Sequence, residues 1–179
     1  MNSLPNMTMV APCDAAQCKK LLRKSLSYPK PIYIRIPRGE EPLVYNEDYD
    51  YDYQIGKANI IQEGTDLNII ATGMGVYGAV QAARQLEEKG LSVGVIDMHT
   101  IKPIDKEAVV HAAKASGAIL TVEDHNILGG LGSIVADVLM EAGVFAKLKK
   151  IGVPDTFVEF GYPEELYPYY NMDGPGIAK

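Results

Sequence analysis

From residue 57 onward the chain alternates between two hydrophobic periods, and this restricts its fold more than any other feature. Short runs rich in Val and Ile (ANIIQEG, DLNIIAT, SVGVIDM, AILTVED and LKKIGVP) read as strands. Helical stripes separate most of them, from about Val76 to Lys89, from Asp105 to about Ser116, and over SIVADVLMEAG. Pro163, at a first helical position, opens PEELYPYY as a last helix. Strands that alternate with helices predict an α/β fold: a mostly parallel open sheet with helices on both faces. With 47% hydrophobic residues in 179, the chain can bury a core and does not have the composition of a disordered segment.

The stretch IIATGMGVYGAV contains a G-x-G-x-x-G at Gly73, Gly75 and Gly78, between a strand and a helix, and Asp97 closes the next strand. This is the layout of a nicotinamide dinucleotide site. The same glycines also serve a sharp strand-to-helix turn and a close approach of helix to strand, so both readings stand. One point weakens the dinucleotide reading: a linker and the strand ANIIQEG precede the motif, which usually opens its domain. A second glycine-rich turn, EDHNILGGLGS, offers either an anion site at a helix start or a packing point. Packing is preferred there, because Glu123 and Asp124 just upstream repel a phosphate. His125, beside that acidic pair, is a candidate general acid or base and equally an ordinary hydrogen-bonding loop residue. His111, on a helix among Ala and Val, reads as structural.

Residues 1–38 have a different composition and read strand, helix, strand. MTMVAP is extended, Asp14 caps a helix whose Ala15, Cys18, Leu21, Leu22 and Leu26 share one face, and IYIRIP follows Pro29 and Pro31. Arg35 and Arg38 stand at the end of that last strand, where ligands gather in open α/β sheets. Arg38 suits either a phosphate or carboxylate ligand or a salt bridge to Glu40, Glu41 or the acidic stretch that follows. That stretch, 39–56, is acidic, rich in Tyr and without periodicity: a solvated linker or a strap, with the tyrosines favouring a strap.

The net charge of −6 without a basic stripe argues against nucleic-acid binding. No apolar run reaches the roughly 18 residues a membrane helix needs. The start MNSLPNMTMV lacks the charged opening and long apolar centre of a signal peptide. Cys13 and Cys18 have no second pair to complete a zinc site and read as buried free thiols of a reducing cytosol, so a cytoplasmic location is expected.

Several strings taken in order carry a resemblance. LPNMTMVAPCD and YIRIPRGEEPLVY, then IIATGMGVYGAVQAARQLEEKGLSVGVIDMHTIKPID, ILTVEDHNILGGLGS and IGVPDTFVEFGYPEEL, together resemble the C-terminal portion of transketolase-type, thiamine diphosphate-dependent enzymes. The resemblance implies that residues 1–38 are the end of a pyrimidine-binding domain, 39–56 a linker or strap, and 57–179 a transketolase C-terminal domain. It implies that the first glycine turn is architectural and that Asp97 is not a ribose ligand, which leaves a nicotinamide-binding module as a minor alternative. Transketolases, deoxyxylulose-phosphate synthases and the beta chains of 2-oxoacid dehydrogenases share this C-terminal domain. The latter two commonly carry Arg where this sequence has His99, and VEDH with GGLG is closer to transketolases, particularly those whose halves are separate chains.

Carried over by that resemblance, Arg38 contacts the phosphate of the substrate. No catalytic, cofactor-binding or metal-binding residue is assigned. The complete enzyme uses thiamine diphosphate and Mg2+, held by an N-terminal half bearing a GDG motif that this sequence lacks. The expected reaction is transfer of a two-carbon ketol unit between sugar phosphates, in a homodimer assembled through the C-terminal domain, with this chain alone inactive. Pro168 departs from the family by breaking a helix that normally continues.

Overall fold

The computed structural model describes residues 1–37, 42–46 and 51–179. A five-stranded sheet forms its centre, built from β3 (Asn59–Gln62), β4 (Leu67–Thr72), β5 (Val93–Asp97), β7 (Ala118–Asn126) and β8 (Lys147–Val153) in the order β3-β5-β4-β7-β8. The last four are mutually parallel, and β3 runs antiparallel on β5. Helices α2 (Gly75–Glu87), α3 (Lys106–Ser116) and α4 (Leu131–Glu141) supply the crossovers. Because side chains alternate across a strand, Ile69 and Ala71 face α2 while Ile70 between them faces α3 and α4. All three are buried, which is why the strands read as continuous apolar runs.

Helix ends follow their local chemistry. Asp105 caps α3 by accepting from the Ala108 amide at 3.2 Å, and Gly117 ends it in a left-handed conformation with φ 65°. β3 joins β4 only by crossing β5, and the crossing depends on two glycines. A Cβ on Gly64 would lie 1.9 Å from the Gly94 nitrogen.

A second, three-stranded sheet is made by β1 (Thr8–Val10), β2 (Ile32–Ile34) and β6 (Thr100–Lys102), in the order β2-β1-β6. β1 and β2 are parallel across α1 (Ala15–Ser25). β6, which sequence pattern does not reveal, comes from just after β5 and pairs antiparallel with β1. The Lys102 ammonium adds hydrogen bonds of 2.7 Å to the carbonyls of Asn2 and Leu4. The apolar stripe expected on α1 is only partly covered. Leu21 is fully buried, whereas Leu22 is 48% and Leu26 89% exposed, because the described residues place nothing over that side of the helix.

Two buried carboxylates join the segments. Asp14 caps α1 with one oxygen (Gln17 N, 2.7 Å) and accepts from the amides of Val44 and Tyr45 with the other (2.9 and 2.7 Å). Asp97, at the end of β5, accepts from Gln17 Nε2 at 2.5 Å and from the Tyr45 hydroxyl at 2.8 Å, with the Cys13 thiol at 3.9 Å. Tyr45 and Tyr53 are buried, so the described part of 42–56 lies as a strap across the junction. The tail returns likewise: α5 (Pro163–Tyr169) holds Pro168 in its last turn, and the short α6 (Gly174–Ile177) packs on α2.

Burial pushes the Asp97 carboxyl up to about 7, with nearby Asp14 adding to the effect and the Gln17 and Tyr45 hydrogen bonds opposing it. Its folded value lies above its unfolded one, so its contribution to stability is full below about pH 4 and is lost as pH rises through about 7. Asp97→Asn, which keeps an acceptor for Gln17 and Tyr45, is expected to stabilise the fold at pH 8 by on the order of 1–3 kcal/mol. Thermal melts of both proteins across pH 4–8 check this, the gap closing toward the acidic end.

Candidate functional site

The ends of β2, β4 and β7 meet at a cleft of about 520 Å³, lined by Met9, Tyr33, Arg35, Thr72, Glu123 and His125 among others. This is the place beyond the carboxyl ends of parallel strands where open α/β sheets collect ligands. Both glycine-rich turns approach it.

The first turn is packed. Gly73 has φ 54°, a left-handed conformation that a larger residue adopts only with strain. A Cβ on Gly75 would meet Val122 Cγ1 at 2.9 Å, and one on Gly78 would meet the Met172 carbonyl at 2.7 Å. The glycines therefore let α2 lie against β7 and under the returning tail. Asp97, the candidate ribose ligand of the dinucleotide reading, is fully buried and already bonded within the protein.

At the second turn the chain supplies its own anion. The Glu123 side chain accepts from the amides of Leu131 and Gly132, at 2.7 and 2.9 Å, and so occupies the positive start of α4. A Cβ on Gly130 would lie 1.8 Å from Glu123 Oε2, so the glycine makes room for this carboxylate. Burial raises the Glu123 carboxyl above its usual range, while the two amides hold it down. Packing is thus the use of this turn, and the partner is internal. On sequence alone Glu123 reads as an obstacle to a phosphate. The available signal is its position eight and nine residues ahead of two amides at a helix start.

The remaining candidates are placed as follows. His125 is exposed, and its Nδ1 donates to the Asn126 carbonyl at 2.8 Å while standing 3.8 Å from Glu123, too far for an acid–base pair. His111 is exposed on α3 rather than packed in it. His99 is buried, stacked on Tyr53 with ring centres 4.2 Å apart, and burial lowers it to about 4. Cys13 is buried, which pushes its thiol up, and Cys18 is partly covered. Arg35 pairs with Asp124 at 3.0 Å, and Asp124 also accepts from the Tyr167 hydroxyl at 3.4 Å.

Arg38 lies outside the described residues. Pro37 just before it lines a second cleft of about 360 Å³ with Arg35, Asp124, Tyr167 and Tyr170. Among the described residues no group of three or more His, Cys, Asp or Glu could hold a metal ion.

Two family models match this sequence. The model for the transketolase C-terminal domain matches residues 56–177, and that for the transketolase pyrimidine binding domain matches residues 1–42. The chain belongs to the transketolase family. It is 45% identical over all 179 residues to an apulose-4-phosphate transketolase subunit of Phocaeicola vulgatus, and 41% identical to a putative transketolase C-terminal section of Methanocaldococcus jannaschii. In each case it covers 100% of itself and 56% of the relative, so the chain spans about half the length of the curated relatives it matches. A 1-deoxy-D-xylulose-5-phosphate synthase of Geobacter sulfurreducens is 37% identical over 99% of this chain and 28% of its own length. A solved split-gene transketolase, described as an inactive beta4 tetramer, superposes with a TM-score of 0.91 at 36% identity, over 99% of this chain and 57% of that one.

Replacing Glu123 by Gln exchanges one charge-assisted acceptor for an amide NH2 that faces a backbone N–H. We expect a loss of about 1–3 kcal/mol in urea unfolding. Gly130→Ala should destabilise the protein clearly less in a Glu123→Ala background, which the double-mutant cycle measures.

Proposed function

We propose that this chain is the C-terminal portion of a transketolase that transfers a two-carbon ketol unit between sugar phosphates, with Arg38 holding a substrate phosphate. Residues 1–38 then end a pyrimidine-binding domain, 39–56 are a linker or strap and 57–179 the C-terminal domain. A companion N-terminal half carries the site for thiamine diphosphate and Mg2+. When bound, the cofactor supplies the carbanion chemistry, while the protein binds and orients. What this chain contributes is a rigid junction, a phosphate clamp and surface for assembly, including a dimer through the C-terminal domain.

The observation that carries this reading is the internal use of both glycine turns. One is filled by Val122 and the tail, the other by Glu123, so neither offers room for a pyrophosphate. That leaves the strand end at 35–38 as the anion-binding candidate. Arg35 is engaged with Asp124, and Arg38 is the next cation along the chain. The relatives named as a transketolase subunit and a C-terminal section support the two-part enzyme.

In the reconstituted enzyme, Arg38→Ala is expected to raise KM for phosphorylated ketoses and aldoses by roughly tenfold or more, corresponding to a charge-assisted contact. KM for unphosphorylated analogues should change far less. Equal losses on both substrates overturn the clamp. Calorimetric titration of the isolated chain with thiamine diphosphate and magnesium should show no submicromolar binding.

A further inference from the structure

Ile36, which is 58% exposed, and Pro37 wall two clefts at once. On one side is a cleft of about 550 Å³ against α1, whose Ala15, Cys18, Lys19, Leu22 and Arg23 recur on one helical face. On the other is the cleft of about 360 Å³ against the tail, whose walls include Val158, Pro163 and Leu166. The two halves of this face carry opposite charge. No Asp or Glu occurs between Asp14 and Glu40, and no Lys, Arg or His between Lys150 and Lys179. Lys19 and Arg23 in the first half, and Glu159 and Glu164 in the second, are exposed and make no ion pair among the described residues. Each half also leaves large apolar groups bare: Leu22 and Leu26 on α1, and Phe157 and Phe160 after β8. Apolar clusters of this kind mark contact sites.

We infer that this face binds a second copy of the chain about a two-fold axis close to Ile36 and Pro37. A two-fold dimer uses one patch on both copies, so the patch must complement itself. Adjacent halves of opposite sign meet that demand. Rotation about the shared ridge lays the basic half of each copy on the acidic half of the other, so that Lys19 and Arg23 face the partner's Glu159 and the partner's Glu164, and the reverse. The same rotation brings the rings of Phe157 and Phe160 to the apolar cleft beside Leu22, where they act as anchors inside a charged rim. Opposite charges steer the approach, and like halves brought together repel, which fixes the orientation. The inference uses only the surface of this chain and does not rest on the ketol-transfer reading; it extends the assembly proposed there to residues 1–38.

The test is the mass of the 179-residue chain in solution, followed by sedimentation velocity and light scattering over a range of protein and salt concentrations. The unmutated chain should pair, and more tightly at low salt. Lys19→Glu with Arg23→Glu makes both halves acidic, and Glu159→Lys with Glu164→Lys makes both basic. Each variant alone should pair on the order of tenfold or more weakly. An equimolar mixture of the two should regain the mass of the dimer, because each half then meets its opposite again; this recovery also shows that both variants are folded. Phe157→Ser with Phe160→Ser should keep the far-UV circular dichroism, since neither ring is buried, and weaken pairing on the order of tenfold or more. An unmutated chain that stays monomeric at about 1 mM overturns the inference. Pairing that survives all three variants, or a mixture of the charge-reversed chains that stays dissociated, places the contact on another face and overturns it too. Either result leaves the ketol-transfer reading standing, since that reading is tested on Arg38.

Discussion

Two carboxylates taken out of water, Asp14 and Asp97, hold the first 37 residues, the strap and the main sheet together. A buried acid needs donors on it or a proton on it, and these two take different routes. Asp14 gathers three backbone amides, one from the helix it starts and two from the strap, all within 2.9 Å. Asp97 gathers side chains, Gln17 from α1 and Tyr45 from the strap, and its other oxygen has no partner among the described residues. Burial therefore drives its titration toward neutrality. Truncating either side chain to Ala would leave orphaned donors at the point where three separate stretches of chain converge.

The glycine-rich turns show how one local sequence serves opposite ends. A helix start with exposed amides attracts an anion, and proteins that bind phosphates leave that position open. Here Glu123 reaches it from β7, and Gly130 is small enough to let the side chain in. At the first turn, Gly75 and Gly78 close the space between α2, β7 and the tail. Both turns are consequently rigid parts of the scaffold. The cleft between them is walled by apolar side chains and by Arg35, whose charge is matched by Asp124.

The alternation of strand and helix was legible because the inner strands β4, β5 and β7 are covered on both faces and α2, α3 and α4 each bury an apolar stripe. The caps at Asp14 and Asp105 were legible for the same local reason. What escaped was non-local. β6 is three residues, Thr100–Lys102, with no periodicity of its own, and it is a strand only because β1 lies beside it. Helix α1 carries a good stripe that the described structure covers fully only at Leu21. Glu123 looked hostile to an anion site, which was right about its charge and silent about its reach. The aromatic residues at 157 and 160 resemble core residues in composition, and only coordinates show them bare.

The pairing of β6 with β1 bears on how this polypeptide can be divided. The family boundary near residue 56 separates two modules in sequence, yet the hydrogen-bond ladder runs across it, and Lys102 reaches the backbone at Asn2 and Leu4. A fragment beginning at that boundary would carry a bare strand edge and a lysine without its two carbonyls. The smallest cohesive unit is therefore larger than the family module, and any division that leaves both pieces on one chain also leaves this seam closed.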